Sequence, residues 1–122
     1  MSEGRDGDAP RLRLRVVFGP GAMLGPGKAD LLALIDETGS ISAAGRRMRM
    51  SYKRAWTLVE TLNTLFAAPL VSSSRGGEGG GGARLTDTGR EVLARYRALE
   101  RHAAEAGAPE IDALEALRRP NG

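Results

Sequence analysis

The spacing of apolar residues changes several times along the first forty residues, and each change predicts a new element. In RLRLRVVF (residues 11–18) arginines alternate with apolar residues, which predicts a strand with one apolar face. Its arginine face fits protection of a sheet edge, with phosphate contact as the alternative. Glycine and proline recur over residues 19–28, which predicts a loop. Apolar spacings of three and four then predict a first helix over residues 28–38, which stops at Gly39.

Two short helices that meet across a turn are predicted next. The first begins after Ser40 or Ser42, which can accept the capping hydrogen bond, and runs to about Arg49. The second begins after Ser51, another good cap, and runs to about Phe66. Small residues occupy the positions where the first helix would pack closely on the second, which opens with Ser-Tyr-Lys-Arg. These features predict a helix-turn-helix.

The second half of the chain predicts two strands and then a long helix. The strands begin at Leu70 and Ala83, and Thr86 can cap the helix that follows, which ends near Gly107. Apolar side chains spaced four, three and four residues apart form a narrow seam along it: Val92, Tyr96, Leu99 and Ala103. We expect this seam to pair two copies of the chain as a homodimer, with packing on its own domain as the alternative. A short amphipathic helix follows.

The glycine-rich run between the two strands, residues 76–82, allows three interpretations. Gly77, Gly79 and Gly82 form a G-x-G-x-x-G pattern, but a dinucleotide site needs that pattern between a strand and a helix of a βαβ unit. A linker between domains is disfavoured because no second domain is expected after the run. A hairpin tip fits best, since glycine adopts positive φ angles and lets the backbone approach a partner closely.

Composition narrows the classes of function. Among 122 residues there are no cysteines and one histidine, His102, which argues against a disulfide scaffold, a thiol nucleophile, a zinc site and a His-based triad. GPGK (residues 25–28) fails the phosphate-loop pattern, because Ala22 and Ala29 stand where glycine and Ser or Thr are needed. We therefore expect no enzyme activity, no metal and no cofactor.

No apolar run approaches the roughly 20 residues of a membrane span, and no signal peptide is readable. A cytoplasmic protein without a membrane partner is therefore expected.

Positive charge is concentrated in the middle of the chain. The formal net charge is only +3, but between Ser40 and Arg75 six basic residues stand against one acidic residue, Glu60. The six are Arg46, Arg47, Arg49, Lys53, Arg54 and Arg75. A surface that binds a polyanion requires such a concentration, so double-stranded DNA is the expected partner.

Two stretches, in this order, resemble a known family. Ser-Tyr-Lys-x-Ala-Trp (residues 51–56) within GSISAAGRRMRMSYKRAW, and then GGEGGGGARLTDTG (residues 76–89) after PLV, resemble the N-terminal DNA-binding domain of ModE-type molybdate-responsive regulators. LysR-type regulators share a weaker form of the pattern. The resemblance covers residues 11–105 and implies a winged helix-turn-helix that dimerises and represses or activates promoters. Family members bind molybdate in C-terminal β-rich domains, which the helical tail here does not resemble, so molybdate binding by this chain is not expected.

The expected fold is therefore mainly α with a small β component. It comprises a disordered leader (1–10), a winged helix-turn-helix with a long C-terminal dimerisation helix (11–106) and a short helical tail (107–122). The expected function is a sequence-specific transcriptional regulator; the alternative is a winged helix that serves protein contacts or DNA architecture. The operator, the direction of regulation and any effector are not specified by these residues.

The second helix of the helix-turn-helix is expected to enter the major groove with its N-terminal end first. Its expected DNA contacts are Ser51, Tyr52, Lys53, Arg54, Trp56 and Thr57. Trp56 could equally pack half-buried against the preceding helix. Outside this helix, the side chains expected on phosphates or in the minor groove are those of Arg46, Arg47, Arg49, Arg75 and Arg84. For the arginines of residues 46–49, a solvated helix face is the alternative.

Overall fold

The computed structural model describes residues 9–74 and 82–120, a mainly helical structure with two antiparallel hairpins. Most of the leader expected over residues 1–10 lies outside the described residues. In chain order the elements are β1 (Val16–Gly19), β2 (Ala22–Leu24), α1 (Pro26–Thr38), α2 (Ile41–Arg47), α3 (Tyr52–Leu65), β3 (Val71–Ser74), β4 (Gly82–Leu85), α4 (Asp87–Ala106) and α5 (Ala108–Leu117). The expected fold class is confirmed.

The N-terminal segment departs from the sequence prediction. Of the strand expected over residues 11–18, only the last part is strand, because pairing with β2 begins at Val16. The prediction of a loop over residues 19–28 is wrong, since it contains β2 and the start of α1. Gly21 turns the chain back at a φ of +75°, and Pro26 suits the first turn of α1, where backbone N–H groups have no helical acceptor.

The residues before β1 are tied to α4 instead of to a sheet. Tyr96 of α4 donates a hydrogen bond of 2.6 Å from its hydroxyl to the carbonyl oxygen of Leu14. Leu14 is half-buried, whereas Arg13 and Arg15 on either side of it are exposed. The alternation of side chains therefore persists in this segment although no strand forms there.

Capping explains where the helices begin and end. α1 ends at Gly39, whose φ of +72° is left-handed and whose N–H donates to the Ile35 carbonyl at 2.8 Å. Ser40 caps α2 by accepting from Ala43 N, and Ser51 caps α3 by accepting from Arg54 N at 3.1 Å. α2 ends at Arg47, two residues earlier than expected, and α3 matches its expected span closely.

The core is aliphatic and joins α1 and α3 to the second hairpin. Its largest fully buried side chains are Leu31, Leu32, Ile35, Val59, Leu62, Leu70 and Leu85. Ala55 lies beside Val59 and Leu62 on the buried face of α3. In the described ranges no polar or charged side chain is buried. Burial of one face of α3 leaves its opposite face to solvent.

The hairpin of β3 and β4 is fixed to the start of α4. A Cβ atom on Gly89 would overlap the carbonyl oxygen of Leu70, so only glycine allows this close contact. Thr86 caps α4 by accepting from Gly89 N, and its hydroxyl also donates to the Pro69 carbonyl at 2.7 Å. α5, after α4, buries none of its residues in the chain, and Leu117 is 81% exposed.

Candidate nucleic-acid interface

α2 and α3 cross closely because small residues meet at the contact. A Cβ atom on Gly45 would lie 3.0 Å from the Cβ of Ala55, so the backbones approach as nearly as side chains permit. Both residues are buried. The contact fixes the angle at which α3 leaves the body of the protein, which is the geometric requirement for presenting one helix to a groove.

The N-terminal end of α3 presents three adjacent exposed side chains. Tyr52, Lys53 and Arg54 are all exposed, and Tyr52 retains 58% of its accessible surface. The hydroxyl of Ser51 is engaged in the cap, so it stabilises the helix end. Neither Lys53 nor Arg54 forms an ion pair with any residue in 9–74 or 82–120. The end of α3 therefore carries two cations that are free to pair with phosphates or base edges.

One turn further along α3, Trp56 and Thr57 adjoin this cationic end. Trp56 is half-buried against the core and meets the ring of Tyr52 edge to face, with 6.1 Å between the ring centroids. Its indole therefore packs in the protein and also orients Tyr52. The Thr57 hydroxyl donates to the Lys53 carbonyl at 2.9 Å, which leaves its methyl group as the part available for contact.

The arginines of α2 lie on its exposed side but have partners within the chain. Arg47 pairs with Glu37 of α1 at 2.8 Å, and Arg46 donates to the Ser42 hydroxyl at 3.1 Å. Both pairs are exposed, so a phosphate can compete for either guanidinium at low cost. These two arginines lie in α2, whereas Lys53 and Arg54 open α3.

The second hairpin occupies the position of a wing. β3 and β4 pair in register, with Ser72 opposite the exposed Arg84. Arg75 and the glycines expected at the hairpin tip, residues 76–81, lie outside the described residues. The N–H of Ala83 donates to the Gly39 carbonyl at 2.9 Å, which fixes β4 to the end of α1 beside the helix-turn-helix.

Asn63, which the sequence pattern did not single out, joins α3 to this wing. Its Oδ1 accepts from the N–H groups of Leu70 at 2.8 Å and Val71 at 3.0 Å, and its Nδ2 donates to the Val71 carbonyl at 3.2 Å. One side chain thus satisfies three backbone groups at the start of β3. The sequence signal was weak: a single amide near the end of a helix followed by an irregular stretch.

The four side chains of the seam expected for dimerisation differ in how far they are buried. Tyr96 is buried in its own domain and Val92 packs against the core, whereas Leu99 is 41% exposed and Ala103 is half-buried. Beside them lies an open apolar groove of about 350 Å³. Its apolar lining comes from β1, β2, α4 and the residue that follows α3, and Phe18 of this lining is 55% exposed.

The electrostatics of α4 support the fold. Burial is the main reason why the pKa of Tyr96 is raised above its ordinary value of 10.0, and the nearby Glu100 adds to the shift. Arg97 pairs with Asp30 of α1 at 2.8 Å and with Glu100 at 3.1 Å.

Throughout residues 9–74 and 82–120 no group of three acidic or histidine side chains is placed to hold a metal ion. No helix in these ranges could cross a membrane.

Comparison with known proteins places this geometry in a family. Residues 28–90, which extend from α1 into α4, match the model of the bacterial regulatory helix-turn-helix proteins of the LysR family. The chain is 50% identical over 80 residues to the molybdenum-pterin-binding protein MopB of Rhodobacter capsulatus, covering 66% of this chain and 30% of MopB. It is 42% identical over 74 residues to the transcriptional regulator ModE of Yersinia pestis, covering 61% of this chain and 28% of that protein.

The structure of ArgP from Mycobacterium tuberculosis is 23% identical with a TM-score of 0.46, and the match covers 77% of this chain and 31% of ArgP. The chain thus matches about 30% of the length of each relative. The similarity to MopB and ModE confirms the ModE-type resemblance. Because the family model matches more than half of the residues, the chain belongs to the LysR family of bacterial regulatory helix-turn-helix proteins.

Proposed function

We propose that this chain binds double-stranded DNA sequence-specifically and thereby regulates transcription. One observation carries the proposal: the N-terminal end of α3 projects Tyr52, Lys53 and Arg54, all exposed, and its two cations have no ion-pair partner in the described chain. In a helix-turn-helix this is the end that enters the major groove. Lysine and arginine there can donate to O6 and N7 of guanine.

The remaining expected contacts divide between bases and backbone. Thr57 offers its methyl group to a thymine methyl one turn along α3, while Trp56 positions Tyr52. Arg46, Arg47 and Arg84 are exposed and are assigned to phosphates beside the groove. Arg75 is assigned to the same role at the wing from its place in the sequence. Lys53, Arg54 and Thr57 supply the specificity, and the arginines on phosphates supply register and affinity.

Two copies of the chain would bind as a homodimer through the apolar groove beside α4. Phe18 and Leu99, both substantially exposed, lie on this groove with Val92. Exposed apolar side chains around a groove favour a self-complementary contact, because burial removes their area from water. A two-fold axis there would present two α3 helices to successive turns of DNA. The expected location is the cytoplasm.

The name of the molybdenum-pterin-binding protein MopB associates molybdenum with a protein of which this chain covers 30%. The residues that carry the present proposal lie within the matched part, residues 28–90, and concern DNA alone. The proposal therefore assigns neither molybdate binding nor molybdenum-related target genes to this chain.

Fluorescence anisotropy tests the proposal. The purified protein is titrated into labelled duplexes of its own upstream DNA and of a scrambled sequence, across a salt series. We expect tight binding to the upstream duplex only, with a steep dependence on salt. Equal weak binding to both duplexes would instead indicate an architectural role. No binding even at low salt would contradict DNA recognition and favour a winged helix that contacts other proteins.

A further inference from the structure

The turn between α2 and α3 contains an arginine in a backbone conformation that favours glycine. Arg49 has a φ of +59°, and no other non-glycine residue in the described ranges has a positive φ. In the left-handed region the Cβ of an L-residue approaches its own backbone, which costs free energy that glycine avoids. An arginine that persists at such a position requires an explanation outside the backbone.

The hydrogen bonds identify this turn as a Schellman motif that closes α2. The N–H of Met50 donates to the Gly45 carbonyl at 3.0 Å, and the N–H of Arg49 donates to the Arg46 carbonyl at 3.0 Å. These are the 6→1 and 5→2 bonds of the motif, and Arg49 occupies its left-handed C′ position. Glycine is the usual residue there, so the fold itself does not need the arginine side chain.

The Arg49 side chain has no role within the described chain. It is exposed, and no hydrogen bond or ion pair joins its guanidinium to residues 9–74 or 82–120. Its neighbours differ in this respect, because Arg46 is bonded to Ser42 and Arg47 is paired with Glu37. Arg49 therefore differs from Arg46 and Arg47 in two ways: its backbone is strained, and its charge has no partner among the described residues.

Its location suggests what the charge is for. Arg49 lies two residues before Ser51, the cap of α3, and so borders the helix end that the proposed function places in the major groove. A cation beside that end is close to the phosphates that line the groove. We infer that Arg49 is a phosphate-binding residue of the DNA complex, retained at the expense of stability in the free protein. This inference rests on the proposed function.

Arg49→Gly tests both halves of the inference at once. Without the Cβ the left-handed turn is relaxed, so we expect the thermal midpoint to rise by roughly 2–5 °C. Without the guanidinium we expect the affinity for the upstream and the scrambled duplex to fall together, by roughly 3- to 10-fold, since phosphates carry no sequence information. The slope of log K against log salt should become shallower by about 0.9 for each phosphate that Arg49 neutralises in the wild type.

Two further variants separate a contact from a general charge effect. Arg49→Lys keeps both the charge and the strain, so we expect a midpoint like that of the wild type and affinity within roughly 2-fold of it. Arg101→Ala removes one exposed positive charge from α4, away from the helix-turn-helix, and we expect the salt slope to stay unchanged.

The outcomes distinguish this inference from the proposed function. If the wild type binds DNA but Arg49→Gly matches Arg101→Ala in affinity and salt slope, Arg49 does not contact phosphate and only the inference fails. A lowered thermal midpoint in Arg49→Gly would contradict the claim that the arginine is retained against stability. If the wild type binds neither duplex, the proposed function fails and the inference falls with it.

Discussion

Both α3 and α4 carry cations on exposed faces, but the two helices treat these charges differently. On α4, Arg90, Arg95 and Arg97 each form an ion pair with a carboxylate. At the start of α3, Lys53 and Arg54 form none with any described residue. These three charges of α4 are neutralised within the chain, whereas those of α3 are left for a partner.

Paired charges on α4 serve folding, whereas the unpaired charges at the start of α3 are suited to binding. A cation near a helix N-terminus opposes the helix dipole, so the start of α3 is an unfavourable place for Lys53 and Arg54 in the free protein. Arg97 is placed where pairing links α4 to α1 through Asp30. Substitutions on α4 should therefore change stability, and substitutions at the start of α3 should change DNA affinity.

The largest expected effect lies at the other end of α3, where the helix is structural. Asn63→Ala leaves the N–H groups of Leu70 and Val71 without their acceptor, which we expect to lower the free energy of unfolding by about 2–3 kcal/mol. Urea unfolding measures this. Thr64→Ala, a neighbour whose hydroxyl bonds only within the helix, is the matched control and should cost less than about 0.5 kcal/mol. Equal losses of unfolding free energy in the two variants would show that the Asn63 side chain does not stabilise the contact between α3 and the wing.

Lys53→Ala tests whether the charges at the start of α3 bind DNA. We expect specific DNA affinity to fall by about 1–3 kcal/mol, roughly 5- to 150-fold, and non-specific affinity to fall less, because a lysine that reads a base loses sequence information when truncated. Anisotropy on the upstream and scrambled duplexes measures both. Unfolding curves should match the wild type, since Lys53 is exposed and forms no ion pair with a described residue. Equal losses on both duplexes would reassign Lys53 to a phosphate.

Arg97→Ala tests whether the ion pairs of α4 stabilise the fold. Removing this guanidinium leaves Asp30 of α1 and Glu100 of α4 without the cation that both pair with. We expect a loss of only about 1 kcal/mol in unfolding free energy, because these ion pairs are partly exposed. DNA affinity per folded molecule should stay within roughly 2-fold of the wild type. Urea unfolding and anisotropy on one preparation check both expectations. A large loss of affinity with intact stability would show that α4 also presents charge to DNA.

Tyr96→Phe gives the smallest expected change at neutral pH, about 1 kcal/mol for one hydrogen bond to the Leu14 carbonyl. Burial raises the Tyr96 pKa above 10.0, so the folded state favours the neutral phenol. Its contribution is complete below pH 10 and is lost as pH rises from 10 through the folded pKa. Unfolding free energies from about pH 8 to 11 measure this. Tyr96→Phe should flatten that alkaline decline, and an unchanged decline would assign it to other groups.

Local signals made the helix-turn-helix predictable. Ser51 and Thr86 were readable as caps because each bonds to a backbone N–H three residues on, within the same stretch of sequence. Gly39 was recognisable as the end of α1 because glycine readily adopts the left-handed conformation found there. Lys53 and Arg54 were expected to contact DNA from the start of α3, and both are exposed there, as such contacts must be.

Features that depend on distant partners were not predictable. Residues 19–28 predict a loop because glycine and proline dominate them, although both also suit the tight turn of a hairpin and a helix start. The spacing of α4 assigns Tyr96 to a seam, whereas its side chain is buried and its hydroxyl bonds to the carbonyl of Leu14, which is 82 positions away. The sequence places Arg49 with Arg46 and Arg47 beside the groove, but nothing in an arginine indicates a left-handed backbone.

The hydrogen bonds of Asn63 and the bond from Ala83 to Gly39 have a consequence for how DNA is measured. They hold α3 and the wing at one separation, so the two cannot adjust independently to a duplex. If the chain binds DNA as proposed, such a unit fits only a duplex in which the distance between the grooves that α3 and the wing enter matches their separation in the protein. Groove width varies with sequence, even at base pairs that no side chain touches. This chain would then reject some duplexes by their shape before any base edge is read.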